Sequence, residues 1–260
     1  MQDIFDSRYG AVFKVRGGPA GKAVLKLSPP NEEATREAAG LAAYQGAAVP
    51  SLYERDDSLG ALLFEEIRSG QPLAAAELDD RKQTKIIAQV LTSLWAVPTS
   101  RLPAGSGLDD YIGTRPHVMR ARWNSEQDLM PRSLLEQALE VFETWQPTTD
   151  PVILHNDLHH QNILLSQSDW VAIDPKCLRG PREADLAPML RNPWMQTRDV
   201  GQLRKRQQVR LSLMHEMTGT DTERARRYAL ANTVDLALWS FSAGEKADAE
   251  YLTAVAQSLS

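Results

Sequence analysis

A chain of 260 residues with 42% hydrophobic and 24% charged content is no disordered tail, and its size suits one large domain or two lobes sharing a cleft. The net charge of −5 argues against a grip on nucleic acid through its phosphates. The single cysteine, Cys177, excludes an internal disulfide and suits a reducing compartment. The amino-terminal residues lack a basic segment followed by an apolar run, and no stretch reaches the ~20 apolar residues needed to cross a bilayer. A cytoplasmic protein that does not insert in membranes is expected.

The first 70 residues read as strands with one helix. Segments 11–15 and 22–27 are strands flanking Gly17-Gly18-Pro19-Ala20-Gly21, the expected turn of a hairpin. That turn approaches a phosphate-binding P-loop but fails the pattern. Arg16 stands where a glycine is required, and Ala23 where Ser or Thr must follow the lysine. Asn31 is a candidate N-cap, with Glu32 and Glu33 in the first turn of a helix expected to reach Tyr44 and stop before Gly46. Residues 61–67 form a further expected strand, ending at 68–72.

Beyond residue 70 the pattern turns helical. Ile86, Ile87, Val90, Leu91, Leu94 and Trp95 share one helical face, and so do Leu134, Leu135, Ala138, Val141, Phe142 and Trp145. Two short strands, 163–165 and 170–173, interrupt the helices. Gly219 marks a helix stop, and Thr220 with Glu223 has the spacing of a capping box for the next helix. The layout is α+β, a small antiparallel-sheet lobe with one helix followed by a larger, mainly helical lobe.

The run from His155 to Leu165, followed by Ile173-Asp174-Pro175-Lys176, carries the chemistry. Asp157 and Asn162 precede one strand and Asp174 ends the next, so a hairpin gathers three oxygen-bearing side chains at one edge. Such a cluster suits a hard cation such as magnesium. Phosphoryl transfer needs that arrangement: a metal to neutralise the triphosphate, and a carboxylate to orient the attacking hydroxyl and accept its proton. The three histidines 155, 159 and 160 also raise a zinc reading, but His-x-Asp-x-His-His is not a metallohydrolase spacing and no second cluster completes it.

His-x-Asp-x-x-x-x-Asn followed by a strand-ending Asp resembles the catalytic loop and metal-binding signature of protein-kinase-like enzymes. The wording Asp-Leu-His-His-x-Asn-Ile-Leu and Ala-Ile-Asp-Pro-Lys is most similar to the aminoglycoside phosphotransferase branch, and within it to the streptomycin and hydroxyurea resistance kinases. Upstream, Ala23-Val24-Leu25-Lys26, Arg36-Glu37-Ala38 and residues 63–70 resemble that family's phosphate-binding strand, paired helix and adenine connector. Downstream, residues 180–187 match its post-metal segment. The likeness covers roughly residues 10 to 190 in order.

The resemblance implies a bilobal protein-kinase-like fold: residues 1–70 as nucleotide-binding lobe with hinge, and 71–260 as helical lobe with catalytic loop and acceptor site. It implies Asp157 as the residue that orients and deprotonates the hydroxyl, with Asn162 and Asp174 holding Mg2+. Lys26, paired with Glu37, would bind the phosphates of ATP, and the backbone of Glu65, Glu66 and Ile67 would meet adenine. His155 and Asp185 would support the catalytic loop. The family has glycine where Asn156 stands, and asparagine is expected to preserve the loop because it tolerates unusual backbone angles. The phosphate-covering loop near residues 7–10 is short of glycine.

The implied acceptor is a small molecule whose cationic character would suit the acidic chain: an aminoglycoside with streptomycin foremost, with hydroxyurea and other metabolites also open. Asp235 and Trp239, i and i+4 on one predicted helix, are candidates to meet it. GTP in place of ATP stays open, as does monomer against homodimer. Two other classes are a non-catalytic nucleotide-binding module on a kinase fold and a zinc metallohydrolase. Cys177 is expected to be structural, and the arginines of 204–206 and 224–227 to be solvated helix faces.

Overall fold

Residues Gln2–Ser7 (β1), Gly10–Arg16 (β2), Lys22–Leu27 (β3), Leu52–Asp56 (β4) and Ala61–Glu65 (β5) build a five-stranded antiparallel sheet in the order β1-β2-β3-β5-β4. This is a computed structural model that describes residues 2–7, 10–16, 21–103, 105–125, 129–194 and 197–260. The expected turn at 17–20 and positions 8 and 9 of the expected phosphate-covering loop lie outside the described residues. Between β3 and β4 runs α1 (Glu32–Tyr44), whose start and stop follow from local chemistry. The Asn31 side chain accepts from the Ala34 amide at 2.9 Å, Glu32 and Glu33 face the positive end of the dipole, and Gln45 closes the helix at φ 54°. The helix buries Ala38, Leu41, Ala43 and Tyr44.

The expected strand 61–67 ends earlier, at Glu65, so Glu66 and Ile67 lie beyond it. Ser69–Pro72 (β6), expected only as the end of that strand, pairs with Ile163–Ser166 (β8), which pairs in turn with Asp169–Ala172 (β9). A two-residue turn joins β8 and β9, with Gln167 at φ 56°. Val152–Leu154 (β7) leads into the segment 155–177, and Leu178–Gly180 (β10) leaves it.

The chain divides into two compact units that interleave in sequence. The first comprises 1–77, 89–106 and 152–179: the five-stranded sheet, the three-stranded sheet β6-β8-β9, α1 and the whole segment from His155 to Lys176. The second comprises 78–88, 107–151 and 180–260. Asp80–Trp95 (α2) runs through the division, with Ile87, Leu91 and Leu94 fully buried; each such side chain contributes about 1.5–3 kcal/mol relative to exposure.

The second unit holds Leu108–Ser125 (α3), Arg132–Glu143 (α4), Leu186–Arg191 (α5), Val200–Thr218 (α6), Thr222–Ser242 (α7) and Lys246–Leu259 (α8). Helix α7 is its centre and packs against α3, α4, α5, α6 and α8. Its inward residues include small ones (Ala225, Ala229, Ala231, Ala237), apolar ones (Val234, Leu238) and the polar Thr233 and Asp235. Gly219 ends α6 at φ 68°, as its sequence implies, but the N-cap of α7 is Asp221 and not Thr220. Asp221 accepts from the amides of Glu223 and Arg224 at 2.9 and 3.0 Å, while Thr220 engages Thr218 and His215. Among the described residues no helix is long and apolar enough to cross a membrane.

Candidate active site

Strand register fixes where Lys26 points. Lys26 lies opposite Val12 and Leu62, and Val24 opposite Lys14 and Phe64, so these side chains share one face of the sheet. From that face Lys26 Nζ donates to both carboxylate oxygens of Glu37, at 2.6 and 2.8 Å, and also to Asp174 Oδ1. Glu37 reaches it from the second turn of α1 and is only 7% exposed. Burial alone would lower the Lys26 ammonium, but Glu37 and Asp174 outweigh it and hold it above its ordinary value. Burial would likewise raise the Asp174 carboxyl; the ammoniums of Lys26 and Lys176 hold it below the usual carboxylate range.

The loop after β7 is organised around His155, which is fully buried. Its Nε2 lies 3.0 Å from the Ile173 carbonyl, and its Nδ1 lies 3.3 Å from the Asp157 amide. The carbonyl needs a donor and the amide an acceptor, so the ring is neutral with its proton on Nε2. Burial pushes its pKa down to about 3, in keeping with that tautomer. One side chain thus ties the start of the loop to the strand end before Asp174. Asn156 adopts φ 61°, a left-handed conformation that asparagine enters more easily than most residues. The substitution for the family glycine is therefore compatible with the backbone.

Downstream, Asn162 Nδ2 donates to the Asp157 carbonyl at 3.0 Å and the Asn162 amide donates to the His159 carbonyl at 2.9 Å, so the loop is closed on itself. The Asp157 side chain is 32% exposed, with His159 Nε2 4.0 Å from its carboxylate. Asp174 sits at φ 63°, a strained setting typical of functional positions. The structure thus brings Lys26, Glu37, His155, Asp157, Asn162 and Asp174 together within the first unit.

Sequence reasoning missed two members. Lys176 Nζ lies 2.7 Å from Glu33 Oε1 and 3.7 Å from Asp174 Oδ2. Lys176 stood inside the recognised Ala-Ile-Asp-Pro-Lys run, but nothing local gave it a role, and Glu33 read only as a helix-dipole residue. Four carboxylates (Glu33, Glu37, Asp157, Asp174) against two ammoniums (Lys26, Lys176) leave the cluster with a net charge of −2, which favours a divalent cation. Among the described residues no three His, Cys, Asp or Glu side chains are arranged to hold a metal ion. The donors available are the Asn162 amide oxygen, whose NH2 is spent on the Asp157 carbonyl, and the Asp174 carboxylate. Hard oxygens few in number fit magnesium, which takes one or two carboxylates and completes its shell with phosphates and water.

At the connector, the Glu65 amide donates to the Ser51 carbonyl at 3.0 Å and its carboxylate accepts from the Ser51 amide at 3.3 Å. Glu66 pairs with Lys14 at 3.1 Å, and Ile67 follows in irregular chain. A cavity of about 190 Å3 opens beside them, lined by Lys22, Tyr53, Glu65, Glu66, Arg68 and Gln167 among others.

Residues 2–244 match the aminoglycoside/hydroxyurea antibiotic resistance kinases. The chain belongs to that family. It is accordingly a phosphotransferase, with the protein-kinase-like α+β fold. Streptomycin 6-kinase of Streptomyces griseus is 30% identical over 239 residues, 92% of this chain and 77% of that protein. Hydroxyurea phosphotransferase of Kitasatospora aureofaciens is 32% identical over 241 residues, 92% of this chain and 68% of that protein. A thermostable mutant of aminoglycoside phosphotransferase APH(4)-Ia, crystallised as a ternary complex with AMP-PNP and hygromycin B, superposes with a TM-score of 0.69 at 16% identity, covering 99% of this chain and 92% of that one.

The remaining kinase-site expectations fall in the second unit. Asp185 is fully buried in a single 3-10 turn, Arg182–Asp185, just before α5. Asp235, 2% exposed, is engaged by Arg115 at 2.6 Å, Arg122 at 3.3 Å and the Tyr111 hydroxyl at 3.1 Å. Burial, with the Asp235 charge beside it, pushes the Tyr111 phenol up to about 12. Trp239, one turn on, is 37% exposed. The two do not share one environment: Asp235 neutralises arginines inside the unit and Trp239 faces out.

Proposed function

We propose that this protein transfers the γ-phosphate of ATP to a hydroxyl of a small cationic molecule, an aminoglycoside such as streptomycin, in the cytoplasm. The observation that carries the reading is the convergence of Lys26, Glu37 and Asp174 on one side of the His155-braced loop that presents Asp157. The relatives named above act, by their names, on streptomycin and hydroxyurea, and the structural neighbour holds an ATP analogue with an aminoglycoside; each supports the reading.

Lys26, steadied by Glu37, takes the α- and β-phosphates and gives up its contact with Asp174. Asn162 and Asp174 would hold magnesium, which would supply charge neutralisation of the triphosphate when bound. Asp157 orients the acceptor hydroxyl and accepts its proton as the oxygen attacks the γ-phosphorus in line. The backbone at Glu65 to Ile67 meets the adenine, Asp185 supports the loop, and the exposed Trp239, not the arginine-bound Asp235, belongs to the acceptor side. Catalysis comes from positioning and electrostatics rather than from a covalent intermediate. A non-catalytic module is disfavoured, because Asn156 adopts the backbone angle the loop requires.

The test is ADP release by purified protein with magnesium and ATP, across aminoglycosides, hydroxyurea and simple polyols. Acceptor-dependent release that collapses in Asp157→Asn supports the proposal. ATP binding without release on the whole panel would count against it.

A further inference from the structure

Two lysines, not one, close on the Asp174 carboxylate. Lys26 meets Oδ1 and Lys176 stands 3.7 Å from Oδ2. Each is gripped by a glutamate of α1, Lys26 by Glu37 and Lys176 by Glu33, one helical turn apart. We propose that Lys176 is a γ-phosphate-binding residue, a resident cation that neutralises the transferring phosphoryl group. The inference rests on the phosphotransferase reading of the same site and assigns it one more working residue.

The placement is built from both sides. The Lys176 amide donates to the His155 carbonyl at 2.8 Å, which pins this backbone to the loop that carries Asp157. On its other side Cys177 is fully buried at φ 51° and abuts Gly40 of α1. The backbone is therefore fixed, while the 31% exposed side chain can exchange its Glu33 contact for another by turning on its four-carbon stem. Asp157 acts on its charge as well, so the ammonium lies in the field of both loop carboxylates.

Position then decides the partner. Lys26, on the sheet, serves the phosphates nearer the nucleoside. The phosphorus under attack must lie within reach of Asp157, which holds the acceptor hydroxyl, and of Asp174, which holds the metal. Lys176 stands beside Asp174 and in the field of Asp157. As the bond from the β–γ bridging oxygen to the γ-phosphorus breaks, its electron pair stays on ADP; the acceptor oxygen bonds to phosphorus and its proton passes to Asp157. Lys176 keeps its proton throughout and faces the non-bridging oxygens, where a fixed charge is most effective. Glu33 parks the ammonium when no nucleotide is bound.

The alternative is a salt bridge that merely fastens α1 to the loop, and binding measurements separate the two. Magnesium-ATP and magnesium-ADP affinities are measured on the full chain for wild type, Lys176→Met, Lys176→Arg and Glu33→Gln. Loss of a charge-assisted contact predicts that Lys176→Met weakens ATP about tenfold and leaves ADP within about twofold, while Lys176→Arg keeps most of the preference. Glu33→Gln breaks the same salt bridge but spares the ammonium, and it keeps the wild-type preference. Equal losses for both nucleotides, no loss in Lys176→Met, or a Glu33→Gln variant that copies Lys176→Met would each overturn the assignment. Wild-type protein that binds neither nucleotide would instead bring down the phosphotransferase reading beneath it.

Discussion

Gly40 offers a sharp test of how α1 is seated. A methyl added there falls 1.8 Å from Cys177 Sγ and 2.5 Å from Cys177 Cβ. Carbon atoms in contact need about 3.5–4.0 Å, so helix and loop must part by about 1 Å or more. Overpacking of that kind costs about 1–3 kcal/mol, against which alanine returns up to about 1 kcal/mol of helix propensity. The clash involves backbone-anchored atoms, so the net loss for Gly40→Ala is about 1–2 kcal/mol, a fall in Tm of about 2–8 °C. The cause predicts its cure. Cys177→Gly removes the obstructing atoms at a position already at φ 51°, where glycine is comfortable. In that background Gly40→Ala should be neutral or stabilising, which gives a coupling of about 1–3 kcal/mol in a double-mutant cycle by denaturant unfolding. Because Glu37 lies one turn before Gly40, the single variant should also weaken ATP binding, and the double variant should restore it. An equal cost for Gly40→Ala in both backgrounds would refute the close approach of α1 to Cys177.

Three further outcomes follow from the same geometry. His155 binds a proton near pH 3 when folded and near 6.5 when unfolded, so the unfolded chain holds one more proton between those values. Stability should fall on acidification through that window by about 1.4 kcal/mol per pH unit, and His155→Gln, which keeps one donor and one acceptor, should lose that slope in denaturant unfolding against pH. Asn156→Gly should be tolerated or gain a few tenths of a kcal/mol, while Asn156→Ala should cost about 1 kcal/mol, because φ is 61°; thermal melts read both. Asp235→Ala leaves Arg115 and Arg122 without their buried anion and should cost about 3 kcal/mol or more. Trp239→Ala should leave the melting temperature within about 2 °C but raise the acceptor KM if the exposed indole meets the acceptor.

What the sequence made legible was mostly local. The Asn31 cap and the Gly219 stop depend on neighbours within four residues, and both stand where the sequence put them. The segment from His155 to Asp174 stood out because its residue types and spacing match the family signature, and the structure brings His155, Asp157 and Asn162 together and sets Asp174 against Lys26. Strands defined by distant partners were not: β6 contains a glycine and a proline and owes its existence to pairing with β8, nearly a hundred residues on, and β7 is three fully buried residues, too short to show a period. Thr220 and Asp221 were both competent caps; His215 and Thr218, contributed by the preceding helix, settle the choice. Lys176 escaped for a related reason. Its partner Glu33 is far away in sequence, and a lysine after a proline carries no signal of its own. The interleaving of the two units has no mark in composition, because residues 152–179 join the first unit through strand pairing, hydrogen bonds and ion pairs with partners distant in sequence.

Mass spectrometry of the acceptor tests the central claim most directly. Streptomycin and hydroxyurea, each incubated with the protein, magnesium and ATP, are analysed beside an Asp157→Asn control. Gain of one phosphoryl group on either acceptor, made by the wild type and lost in the variant, is the predicted result. Protein that binds ATP yet leaves both acceptors unmodified, or a variant that phosphorylates as well as the wild type, would contradict the account.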